Sequence, residues 1–84
     1  MDIRVRHTKH QVARGSRPDA ETRQAVYLLK NVSTLRLTYQ IRLLAFRAQD
    51  TARRLVIRVP RRCQLHPALR HFCKEYEFVR VERV

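Results

Sequence analysis

The chain holds one glycine, three prolines, two cysteines and no tryptophan in 84 residues. So little glycine and proline excludes a flexible linker or a collagen-like array, and it predicts few, short loops. Two cysteines do not make a disulfide framework. No apolar run approaches the length of a membrane span. The N-terminal "MDIRVRHTKHQ" lacks the apolar segment of a secretion signal, so the expected chain is soluble and cytoplasmic, or is carried out of the cell inside a larger protein. Acid is scarce as well: 7 Asp and Glu stand against 19 Lys and Arg, for a net charge of +12. The hydrophobic content of 44% excludes a disordered tail. At this length the chain is one domain, 1–84, with a small core.

The charge selects for a polyanionic partner, most simply nucleic acid. Most of the basic residues are arginine, whose planar fork suits bidentate phosphate contact. A basic surface docking an acidic protein is the rival reading, and an arginine-rich composition without a partner is the plainest one. From Arg53 to His71 there is no acidic residue, while Arg53, Arg54, Arg58, Arg61, Arg62 and Arg70 accumulate. These six are the candidate nucleic-acid contacts.

Cys63, His66, His71 and Cys73 read C-x2-H-x4-H-x-C, which raises a zinc site. The spacing argues against it. His71 and Cys73, two apart on an expected helix, point in different directions, so partly buried thiols are expected instead. His7 and His10 are read as surface residues.

Organisation follows from periodicity. "DIRVRH" alternates as a short half-buried strand, and "ARGSRPDAET" marks a turn. Residues 20–31 stay open. Propensity favours a helix capped by Asp19, whereas "AVYLLKNV" also reads as a buried central strand. Ser33 is the expected N-cap of a long amphipathic helix over about 34–52, its stripe formed by Leu37, Ile41, Leu44 and Ala48. A compact strand Leu55–Val59 follows, stopped by Pro60. Pro67 opens a short helix over about 67–76, and "FVRVERV" closes the chain as a strand. In this second half, two strands joined by a helix predict a parallel βαβ unit. The fold class is α/β, with a mixed sheet. A small sheet with exposed edges also suggests a homodimer.

In this order, "GSRPDA" at 15–20, "YLLKNV" at 27–32, "LRLTYQIR" at 35–42, "LVIRVP" at 55–60 and "QLHPALRHF" at 64–72 form a pattern. It resembles the restriction-endonuclease-fold nuclease domains found at the ends of bacterial polymorphic toxins. The match covers about residues 10–84, shorter than the family's usual core, so a truncated core is implied. The resemblance implies a metal-dependent phosphodiesterase with Asp19 as metal-binding carboxylate and the main-chain carbonyl of Leu29 beside it. Lys30 matches the lysine near the attacking water, and Gln40 the supporting helix glutamine. It also implies Mg2+ as cofactor, DNA or RNA as target, an acidic immunity-type protein as a further partner, and delivery within a larger secreted toxin. The chemistry is coherent: a hard cation polarises the phosphoryl oxygen, and magnesium takes oxygen ligands.

One position departs from the pattern. The family's glutamate stands two residues before its lysine, and that position here is Leu28. Leucine cannot ligate a metal. Three readings follow: a nucleic-acid-binding domain of nuclease type with a degenerate site; an active Mg-dependent nuclease in which Glu21 joins Asp19 as second metal ligand; and a non-enzymatic basic protein that docks an acidic partner. If residues 25–31 are helical, the alignment with the nucleases fails.

Overall fold

Residues 18–84 are described by a computed structural model of the chain. The strand expected in "DIRVRH", the start of the following turn, and His7 and His10 lie outside the described residues. The run after Thr22 is a strand. β1 (Ala20–Glu21) and β2 (Ala25–Leu29) form an antiparallel hairpin with Ala20 opposite Tyr27 and Glu21 opposite Val26. Thr22 builds the turn: its Oγ1 accepts from the Ala25 N–H at 3.0 Å, and its own N–H donates to the Ala25 carbonyl at 2.8 Å. Helix propensity in this stretch is overridden by tertiary pairing. As a strand, Val26 and Leu28 share one face and are both buried.

The remaining elements are β3 (Thr34–Leu35), α1 (Tyr39–Asp50), β4 (Arg54–Val59), β5 (Gln64–Leu65), α2 (Pro67–Glu75) and β6 (Val79–Arg83). The main sheet has the order β1-β2-β4-β6. β2, β4 and β6 are mutually parallel, and β1 adds the antiparallel edge that makes the sheet mixed. Val26, Leu28, Leu55, Ile57, Val59 and Val79 on one sheet face join Ile41, Leu44, Ala45 and Ala48 of α1 and Leu69 and Phe72 of α2 in a single apolar cluster. Both helices therefore cover the same face, as two crossovers of one hand advancing in one direction require. Burying Leu28 this fully stabilises the fold by roughly 1.5–3 kcal/mol.

The long helix is shorter than its sequence pattern. The expected start at Thr34, with Ser33 as cap, is wrong: the helix begins at Tyr39, capped by Thr38, whose Oγ1 accepts from the Ile41 N–H at 3.2 Å. Residues 34–35 have another task. They pair in parallel with Gln64–Leu65, the Gln64 N–H donating to Ser33 O at 2.8 Å and the His66 N–H to Leu35 O at 2.9 Å. That small sheet ties together the two connections that leave the carboxyl ends of β2 and β4.

The helix ends two residues earlier than 52. The Arg53 N–H donates to Ala48 O at 2.7 Å and the Ala52 N–H to Gln49 O at 3.2 Å, a Schellman closure with Ala52 at φ 54°. This left-handed position is costly for any residue with a Cβ. Ala52→Gly is therefore expected to raise stability by about 0.5–1 kcal/mol, the left-handed penalty less glycine's extra entropy. Thermal unfolding checks it. α2 ends at Glu75 with Tyr76 as C-cap, one residue short of the expected 76.

Candidate nucleic-acid interface

Parallel strands send every carboxyl end to one edge of the sheet, and both helices start there. In doubly wound α/β sheets ligands bind at this edge, at the topological switch point; here both crossovers advance one way, and the edge is a candidate by its residues. The hairpin brings Asp19 to it. The Asp19 N–H donates to Tyr27 O at 2.9 Å, and its Oδ2 accepts from the Leu29 N–H at 2.7 Å. Lys30 continues the β2 ladder, its N–H donating to Arg58 O at 2.9 Å. With period two, Lys30 faces the helix side like Leu28 but sits beyond the core, half-buried. Gln40 lies in the first turn of α1, at the same edge and on the same side. The structure thus places Asp19, Lys30 and Gln40 at one edge. The main-chain groups of Tyr27 and Leu29 point to the Asp19 side, because those of Lys30 point to β4.

Glu21 does not join them. It lies opposite Val26, three residues back along β2 from Leu29, or about 10 Å. Its oxygens are taken by Arg47 (Nε–Oε1 3.1 Å, Nη2–Oε2 3.3 Å) and by Arg53 (Nη2–Oε1 3.0 Å). These contacts fasten the hairpin to the end of α1. Leu28 is 2% exposed, packed in the core under the helices. Among the described residues, no three His, Cys, Asp or Glu side chains gather as a metal cluster. The donor set at the edge is one carboxylate and nearby main-chain oxygens, which does not fit a magnesium site needing a second fixed carboxylate.

The zinc spacing also disperses. His66 caps α2, its Nδ1 accepting from the Ala68 N–H at 3.1 Å. Cys63 is buried beside its own turn, whereas His71 and Cys73 lie further along α2. Burial pushes the Cys73 thiol up from its ordinary value.

The arginine cluster of the sequence divides in space. β4 runs across the whole sheet, so Arg53 and Arg54 lie at the amino edge, while Arg58, Arg61 and Arg62 lie at or near the carboxyl edge. Arg53 is a structural residue. Besides Glu21 it donates to Thr51 Oγ1 at 2.8 Å and to Thr22 O at 3.2 Å. Arg54 borders an open groove of about 580 Å³ with Lys74, Glu75, Tyr76, Glu77 and Phe78, far from Asp19 and of mixed charge. Arg58 lies on the sheet face away from the helices. It stacks 5.2 Å from the Tyr27 ring centroid and pairs with Glu82 at 3.0 Å.

Arg61 and Arg62 form the tip of a tight turn closed by the Cys63 N–H donating to Pro60 O at 2.9 Å, and both are exposed. Arg83 braces this turn from β6, its Nη2 donating to Cys63 O at 3.1 Å. Exposed Arg70 sits in the first turn of α2. The fold adds Arg36 and Arg42, exposed residues flanking the start of α1, which linear clustering had not singled out. Their signal was positional: basic residues beside the N-terminus of a helix that follows a parallel strand. The first turns of α1 and α2 carry no acid. Among the described residues acid lies mostly at the opposite edge: Glu21 turns toward it, Asp50 ends α1, Glu75 ends α2 and Glu77 follows it, while Asp19 and Glu82 stay at or near the carboxyl edge. Among the described residues the carboxyl edge therefore carries the larger excess of positive charge, and helix dipoles add to it. Comparison of the chain with protein-family models, with curated proteins and with solved structures gives no match.

Proposed function

We propose that this domain binds nucleic acid through the carboxyl edge of its sheet, and that the edge carries a degenerate metal-dependent phosphodiesterase site of nuclease-toxin type. The observation that carries the reading is the convergence of Lys30, Arg36, Arg42, Arg61, Arg62 and Arg70 on the edge where Asp19 also lies. Exposed arginines on a braced turn suit phosphate oxygens. The hydrolytic half is impaired because the second carboxylate position is a core leucine. Lys30 is left to stabilise phosphate charge without a cation to work beside. The resemblance to the toxin nucleases rests on the sequence motifs. Its bacterial setting, and a target of either DNA or RNA, come with that resemblance.

Gel shifts with duplex DNA, single-stranded DNA and RNA over a range of salt test the binding. The expected result is a steep loss of affinity with salt, the slope counting the phosphates neutralised. No binding at low salt overturns the proposal and leaves the acidic-protein partner. Incubation with plasmid and RNA, with and without magnesium, tests the second half. Cleavage that disappears in Asp19→Ala overturns degeneracy in favour of an active nuclease.

A further inference from the structure

β6 is an edge strand: among the described residues its sheet partner is β4 alone. The Leu55 N–H donates to Phe78 O at 2.9 Å and the Val84 N–H to Val59 O at 3.0 Å. The even-numbered residues of β6 therefore turn their main-chain groups toward β4, and Val79, Val81 and Arg83 turn theirs outward. The Val79 N–H is taken by Tyr76 O at 2.9 Å. Among the described residues, what remains without a partner on the outer edge is the carbonyl of Val79 and both groups of Val81 and Arg83. Beside them stand the charged, exposed side chains of Arg80 and of Glu82, one of whose oxygens already pairs with Arg58 at 3.0 Å, and the apolar Val84, which is 70% exposed.

We infer that this edge pairs antiparallel with the same edge of a second copy, on a two-fold axis through Val81. The register follows from charge. With the axis at Val81, Arg80 stands opposite the second copy's Glu82, and Glu82 opposite its Arg80. Val84 then stands opposite the second copy's Phe78, giving each exposed valine an aromatic neighbour. An axis at Arg80 sets arginine against arginine, and an axis at Glu82 sets glutamate against glutamate, both unfavourable. The Val81 register also matches the free main-chain groups except the Arg83 carbonyl, whose counterpart, the Val79 N–H, is taken. Val81 exchanges both bonds with its counterpart, and the Arg83 N–H meets the second copy's Val79 carbonyl, reciprocally. The contact is isologous and closes at two copies. Both helical layers stay on one side of a continuous eight-stranded sheet, twice the four strands of one copy. The two basic carboxyl edges point to opposite ends.

Sedimentation equilibrium from micromolar to near-millimolar protein tests this, in about 0.15 M salt, where the net charges of the two copies are largely screened. The wild-type mass is expected to rise from the 10.1 kDa of one chain to about 20 kDa. Arg80→Glu and Glu82→Arg each set like charges across the axis and stay monomeric. An equal mixture of the two variants returns to the dimer mass, because each cross-strand pair is then of opposite sign. In the wild type, amide exchange at Val81 and Arg83 slows as concentration rises. This readout decides the matter if either variant fails to fold. A wild type that stays monomeric, single variants that dimerise like the wild type, or a mixture that remains monomeric overturns the inference.

Discussion

Leu28→Glu is expected to lower stability by about 3–5 kcal/mol in metal-free buffer, since it removes a buried leucine and leaves an unpaired carboxylate against the core. A domain of 84 residues has only about 4–13 kcal/mol in hand, so the variant lies close to unfolding. Magnesium should then separate two interpretations of position 28. If the edge is a remnant metal site, the introduced carboxylate joins Asp19, and magnesium at 100 times its dissociation constant restores about 2.7 kcal/mol. Leu28→Gln suffers a similar initial loss and gains nothing from magnesium. Adding Asp19→Ala to Leu28→Glu abolishes the gain. Denaturant titration with and without magnesium reads all of these. If wild type and Leu28→Glu respond to magnesium alike, position 28 is ordinary core and the nuclease reading of the edge fails.

Arg61→Ala with Arg62→Ala is expected to reduce the salt slope of nucleic-acid binding by about 2, and to weaken binding evenly across sequences, because phosphate contacts carry no base information. The contrast is Arg53→Ala. That arginine is as close in sequence to the run of basic residues, but its side chain is only 12% exposed and is spent on Glu21, Thr51 and Thr22. Its loss should lower stability by about 1–2 kcal/mol and leave the slope near the wild-type value. Gel shifts at several salt concentrations, paired with thermal unfolding of the same proteins, distinguish a binding arginine from a bracing one. Equal slopes for the double variant and the wild type would move the interface away from the carboxyl edge.

The same two arginine classes show how far the sequence reaches. Composition alone set the charge and the modest size of the core, because these depend on counts and not on geometry. Local pattern set the strand at 55–59, the start of the second helix at Pro67 and the final strand, since β-branched runs, proline and alternation act within a few residues. Residues 25–29 were open to helix or strand because propensity and burial pull in opposite directions there. Pairing with β4 resolved the conflict. The start of α1 was misplaced for a related reason. Thr34 and Leu35 fit the helical stripe, yet a strand partner 30 residues away, at Gln64 and Leu65, claims them.

What only the tertiary structure decided is the fate of individual polar side chains. Asp19 and Glu21 are near neighbours with similar chemistry. The hairpin register sends one to the Leu29 amide and the other to Arg47 and Arg53. Arg53 and Arg61 belong to one linear cluster, and a strand crossing the sheet carries them to opposite edges. The leucine at position 28 was legible from the start as the residue that cannot hold a metal. That it fills the core beneath α1, and is not a bare surface substitution, is a fact of packing, since burial depends on elements distant in the chain.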